Sequence, residues 1–187
     1  MSLIDLAAPA VEPIDLAYAK VFLRIEGTDE DTLIETLIKT ARHRAENMIE
    51  RALINRSFIY RCAVPPNTCL TLPRPPLLSV ARLTLIAEND QAVDIPASDY
   101  SVTKRRDPAQ VNLKPGKNWT DYLTEFVTLE VEFTAGYGST PDDVPLPIRQ
   151  AILLLLAHSY EYREMSDSPA VPIMVDALLA PYRLVQL

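Results

Sequence analysis

Between Leu33 and Leu53, the apolar residues Leu33, Ile34, Leu37, Ile38, Ala41, Ala45, Met48, Ile49, Ala52 and Leu53 recur at steps of three and four. That is the period of a helix with one apolar face. Opened by Thr28, with Glu30 and Asp31 favourable against the helix dipole, a helix over 29–54 would span about 39 Å at 1.5 Å per residue. The opposite side carries Lys39, Arg42, Arg44, Glu46, Glu50 and Arg51, read as a solvated face or, alternatively, as a contact with a neighbouring subunit.

Ahead of this stripe, Asp15 can cap a short helix from Leu16 to about Leu23, closed by Gly27. The first dozen residues, with Pro9 and Pro13, read as an extended lead-in. From Ser57 the period falls to two. Short β-branched or aromatic runs at 57–64, 69–72, 80–87, 93–95, 100–103, 111–113 and 126–134 alternate with Pro or Asn-Asp breaks. The proline-rich segment from Leu72 to Ser79 lacks the backbone donors a central strand needs, and reads as an edge or loop. Helix returns after Pro145 with a segment apolar almost all round, which predicts burial on most sides. A last short helix is expected over 173–180, ending at Pro181.

The expected fold is therefore α+β and mainly helical: a bundle from the N- and C-terminal segments with a β-rich insertion in the middle. It is read as a single domain over 1–187, its helical core built from about 15–54 and 145–183 and its insertion covering 57–135. At 187 residues and 48% hydrophobic composition, such a chain buries enough surface to need neither disulfide nor metal. Cys62 and Cys69 are read as unpaired thiols.

Charge narrows the function. With 18 Lys and Arg against 25 Asp and Glu, the net charge is −7, and the isoelectric point is near 4.9. Broad nucleic-acid binding, which relies on cations replacing counterions on phosphates, is disfavoured. The exception is local: Lys104, Arg105 and Arg106, with Lys114 and Lys117 beyond, form the one marked basic run, a candidate contact for DNA or an acidic partner. No signal peptide is read at the N-terminus. The longest strongly apolar run, Ala151 to Ala157, falls far short of the roughly 20 residues a bilayer requires.

No catalytic set emerges. Gly136-Tyr-Gly138 stands where a phosphate loop would, but lacks its third glycine and lysine, and Asp142 and Asp143 would repel the ligand. It reads as a strand-ending turn. His158 and Glu161 form half of a carboxylate-histidine metal motif with no second half in view, and no nucleophile elbow is present. No cofactor or metal is expected.

Thr134-Ala-Gly-Tyr-Gly138, a polar loop with Pro145, then Pro147-Ile-Arg-Gln-Ala151, Ala157-His158, Tyr160 and Arg163-Glu164 resemble a pattern that recurs in tailed bacteriophages. So does the ending Ala177-Leu-Leu-Ala-Pro-Tyr-Arg183. Ala19, Lys20 and Leu23, then Asp29 to Asp31, then the long helix through Ala45 to Arg51 agree. The chain is similar to the head-tail connector (adaptor, or head-completion) family, which also occurs in prophages and gene transfer agents. The resemblance covers both helical ends and says least about 65–125.

It implies a non-enzymatic structural protein of the virion or phage-like particle, made in the bacterial host cytoplasm. About twelve copies would form a ring under the portal, extending the DNA channel towards a tail-side stopper without holding the DNA. It further implies portal docking by Leu178, Leu179, Tyr182, Arg183 and Leu184, whose apolar character after a proline fits insertion between partner subunits. A ring needs two different faces on each subunit; the candidates are Arg42 and Glu46 on the long helix and Tyr160, Tyr162 and Arg163 on the third. The alternatives are a nucleic-acid-binding accessory of DNA packaging acting through the basic run, and a metal-dependent hydrolase using His158 and Glu161.

Overall fold

Phe58 and Phe133 face each other across adjacent antiparallel strands, rings stacked at 5.4 Å between centroids, in a core of buried strand residues. The structure, a computed structural model, describes residues 1–123, 125, 128–162, 170 and 172–184. They form two compact units, Met1–Pro9 with Asn55–Gly136, and Ala10–Ile54 with Tyr137–Leu187.

In the first unit the strands Ser2–Asp5 (β1), Arg56–Ala63 (β2), Leu77–Ile86 (β4), Ala92–Asp94 (β5) and Thr128–Ala135 (β8) make a five-stranded antiparallel sheet in the order β1-β2-β8-β4-β5. Cys69–Thr71 (β3), Gln110–Leu113 (β7) and Tyr100–Thr103 (β6) make a second, in the order β3-β7-β6. Along β8 burial alternates strictly: Leu129, Val131, Phe133 and Ala135 point inward, as a half-buried strand with period two requires. Trp119 closes the second sheet, its indole N–H donating to the Asn67 carbonyl at 2.8 Å. Cys62 and Cys69 are free thiols.

The second unit holds Leu16–Leu23 (α1), Asp31–Ile49 (α2), Leu146–Glu161 (α3) and Ile173–Leu179 (α4). Asp15 caps α1 by accepting from the Tyr18 amide at 2.7 Å. Ile34, Ile38, Ala41, Ala45 and Ile49 of α2 meet Ile148, Ala151, Ile152, Leu155 and Leu156 of α3 in one core. The Tyr160 hydroxyl donates to Glu30, which places the end of α3 beside the start of α2.

The fold is mixed α+β and not a mainly helical bundle. Its eight strands among the described residues form two antiparallel sheets with their own core of Phe58, Leu83, Leu85, Leu129, Val131 and Phe133. They are thus a unit in their own right, and the N-terminal residues belong to it: β1 pairs with β2 in the register Ser2↔Arg61 to Asp5↔Phe58. Some boundaries move as well. Arg24 rather than Gly27 closes α1, and Glu50 closes α2 four residues before Ile54, each in the left-handed conformation. Leu77 already pairs with Ala135, so β4 is an interior strand from the first residue beyond Pro76.

Gly136 and Gly138 serve close approach, not phosphate. A Cβ at Gly136 (φ +146°) would lie 2.5 Å from the Asn55 backbone nitrogen, and one at Gly138 would lie 2.1 Å from the Asp143 carboxyl. That carboxylate accepts from the Thr140 amide and hydroxyl, both at 2.8 Å, bonds that hold it below the usual carboxylate range.

The charged side of α2 is only partly solvated. Arg42 and Glu46 are buried: the Arg42 guanidinium donates to Glu12 at 2.7 Å and to Glu46 at 2.9 Å, and Glu46 in turn accepts from the Leu53 amide at 3.0 Å. Truncating Glu46 leaves Arg42 with Glu12 alone and takes the acceptor from the buried Leu53 amide, and a buried group stripped of its hydrogen-bond partner costs about 1–3 kcal/mol. Glu46→Ala is therefore expected to lose stability of that order in urea unfolding, whereas Lys39→Ala on the exposed side of the same helix stays within about 0.5 kcal/mol of the parent.

Candidate assembly surfaces

The last helix is held by its own core. Leu179 of α4 is fully buried together with Val175, while Leu178 and Tyr182 are half-buried against the same cluster. The Tyr182 carbonyl accepts from the Arg51 guanidinium. Arg183 is exposed and pairs with Asp176 at 2.7 Å, and Leu184 is half-buried. The five residues predicted to dock on a portal fall on α4 and the residues just after it, Leu179 buried and the others half-buried or exposed.

The residues predicted for subunit contacts are dispersed. Arg42 and Glu46 lie inside, in the network with Glu12, so what reads in sequence as a solvated or intersubunit charge pair is internal. Tyr160 and Tyr162 are half-exposed near the end of α3. Tyr162 rests at 5.0 Å between centroids from His158, whose ring is buried. Arg163 falls outside the described residues.

The basic run sits on the loop between β6 and β7 and beyond β7. Lys104 donates to the Leu78 carbonyl and Arg106 to Gln110 at 3.0 Å, while Arg105 and Lys114 are exposed. Lys117 pairs with Asp99 at 3.1 Å. Asp99 also accepts from the Tyr122 hydroxyl at 2.7 Å and from Ser98 at 2.9 Å. These bonds, that from Tyr122 first, lower the Asp99 carboxyl to about 2. Desolvation, then the Asp99 bond and charge, raises the Tyr122 phenol to about 12.

Among the described residues no group of three or more His, Cys, Asp and Glu side chains is placed to hold a metal ion, and no helix is long and apolar enough to cross a membrane. Sequence reasoning missed the groove beside the start of α3. There Tyr18, Leu146, Pro147, Arg149, Gln150 and Leu153 line a hollow of about 400 Å³. The exposed Leu146 at a helix start was its one visible signal.

Residues 13–104 match the sequence profile of the phage gp6-like head-tail connector protein family. The whole chain superposes on a chain of the virion of a native gene transfer agent (GTA) particle, with a TM-score of 0.82, 25% identity and 97% of that chain covered. It superposes equally completely on a chain of the neck of an empty GTA particle computed with C6 symmetry (TM-score 0.81, 23% identity, 97% of that chain). A third match is to the neck of a native GTA particle computed with C12 symmetry (TM-score 0.73, 23% identity, 97% of that chain). A comparison with curated proteins finds no match. These findings support a structural class for the chain, that of the phage-type head-tail connectors.

The Asp99–Tyr122 pair makes the first unit sensitive to pH at both extremes. Asp99 is depressed in the folded state, so its contribution is complete above the unfolded value near 3.8 and is lost as pH falls through about 2. Tyr122 is raised, so its contribution is complete below 10 and is lost as pH rises through about 12. Tyr122→Phe is expected to lower the melting temperature at pH 7 and to flatten both limbs of the pH–stability curve, measured by circular dichroism.

Proposed function

We propose that this chain is the adaptor of a phage or gene-transfer-agent particle, assembling as a ring of about twelve copies beneath the portal and extending the DNA channel towards the tail-side stopper. The observation that carries the reading is full-length likeness to chains of gene-transfer-agent necks and of a gene-transfer-agent virion, joined to the connector profile over 13–104. The ring acts as a structural part and catalyses no reaction; the connector profile supports this role. Within the particle it stands at the head-tail junction.

The charge supports passage without capture. At −7 per subunit, about a dozen copies present strong net negative charge, which weakens phosphate contact while enclosure keeps the duplex on axis. Lys104, Arg105, Arg106, Lys114 and Lys117 are the exception, and Arg105 and Lys114 are the two exposed cations among them best suited to an acidic neighbour or to DNA.

Portal docking is assigned to the end of the helical unit. Leu178, Tyr182, Arg183 and Leu184 offer surface there, and Leu179 fixes α4 from beneath. Tyr160 and Tyr162, with Arg163, remain the proposed contribution of α3 to subunit contacts.

Tagged full-length protein, added to a lysate that produces particles, is expected to capture portal protein and to yield rings under the electron microscope. Deleting residues 183–187 should abolish that capture while leaving cooperative unfolding intact. Capture of DNA without portal, abolished by changing the five basic residues to Ala and falling steeply with salt, would replace this reading with that of a packaging accessory.

A further inference from the structure

Among the described residues, the most exposed large apolar side chains of the helical unit lie in two separate places. One is the groove between α1 and the first turns of α3, where Tyr18 is 46% exposed and Leu146 74%. Val21, one turn beyond Tyr18, is 74% exposed and prolongs the apolar margin. The other is the start of α4, where Ile173 is 87% and Met174 60% exposed. Side chains this size do not stand out into water on a helix start without cost, and clustered apolar surface marks contact sites.

The two places are complementary in charge as well. Arg149 lines the groove; it donates through one terminal nitrogen to Asp142 at 2.7 Å, and its Nε is buried with no acceptor. Asp142, the partner in that bond, is 89% exposed, and a surface pair of that kind yields readily to another carboxylate brought to the same guanidinium. At the other place Asp176 stands three residues beyond Ile173 and so on the same helix face. Its present partner, Arg183, is a surface residue, and such pairs hold their geometry weakly.

We propose that the groove seats Ile173 and Met174 of a second copy of this chain, with Arg149 meeting the incoming Asp176. Within one chain neither patch covers the other, since both remain exposed. The contact therefore runs from copy to copy in one sense, groove to α4 start, which is the heterologous type that closes into a ring when the rotation allows. The assignment rests on the ring reading above. It replaces Arg42 and Glu46, which are internal, with a pair of faces that are open.

The test uses full-length protein assembled into rings, carrying Leu146→Cys and Ile173→Cys, with Cys69→Ser to remove the more accessible native thiol. A short bis-maleimide is expected to give a ladder of covalent multimers on a denaturing gel. Each single cysteine variant stays unlinked, and a mixture of the two gives dimers and nothing longer. Rings in the microscope with no ladder overturn this contact and leave the ring reading standing, whereas absence of rings from the parent protein in every condition, including particle necks, overturns both. Charge exchange gives a second, independent readout. Arg149→Glu, shown by its melting curve to be folded, should lose rings, and adding Asp176→Lys should restore them. Rings undiminished by Arg149→Glu would overturn the assignment even if the cysteine variant failed to assemble.

Discussion

Glu46 is a carboxylate in the middle of the face that α2 turns to the core, and the helical unit is organised around keeping it satisfied. One oxygen takes the Arg42 guanidinium and the other takes the Leu53 amide, just past the helix end. Arg42 reaches on to Glu12, which anchors the chain leading into α1. A single buried network therefore ties the lead-in, the long helix and the turn after it. The apolar stripe supplies the driving force for burying α2. The network restricts how the stripe can be buried, since sliding or rotating the helix would strand a charge in a low-dielectric interior.

The first unit solves a different problem by different means. Its five-stranded sheet is held by β8, which pairs along its length with β2 on one side and β4 on the other. The alternation along β8 sends one face inward, so a slip of one residue would turn Leu129, Val131 and Phe133 to solvent. At one margin β1 covers the edge of β2, and Asp5 pairs at 3.2 Å with Arg56, a buried arginine stacked over Phe58 at 4.9 Å. The N-terminal residues thus complete the sheet instead of trailing from it. At the end of β8, Gly136 admits the Asn55 backbone where no side chain fits.

For a connector the informative surface is what a single chain leaves uncovered. Ile173, Met174, Val21 and Leu146 are exposed although the unit has ample core to bury apolar side chains elsewhere. The C-terminal end does the reverse: Leu179 is drawn into the core, so that α4 is a fixed platform for the residues around it. A platform that is rigid before contact loses less conformational entropy on docking than a free tail would.

The amino-acid sequence by itself determined the elements that depend on near neighbours, though not where α1 and α2 end. Asp15 and the Leu16–Leu23 helix, the stripe of α2, the all-round apolar α3, the alternation of β2, β6, β7 and β8, and the connector pattern at both ends are all periodic or adjacent signals. Tertiary structure alone decided what depends on distant partners. Ser2–Asp5 is too short and too polar to announce a strand, and becomes one because β2 offers an edge more than fifty residues later. Arg42 and Glu46 look like surface charges by their spacing on a helix, and are internal because Glu12 and the Leu53 amide arrive to neutralise and bond them. Whether the strands decorate a bundle or make their own core is likewise not written in any period, since hydrophobic alternation states that one face is buried without stating against what. Periodicity is a property of the local backbone; burial, pairing and the groove beside α3 are properties of segments that meet only after the chain has folded.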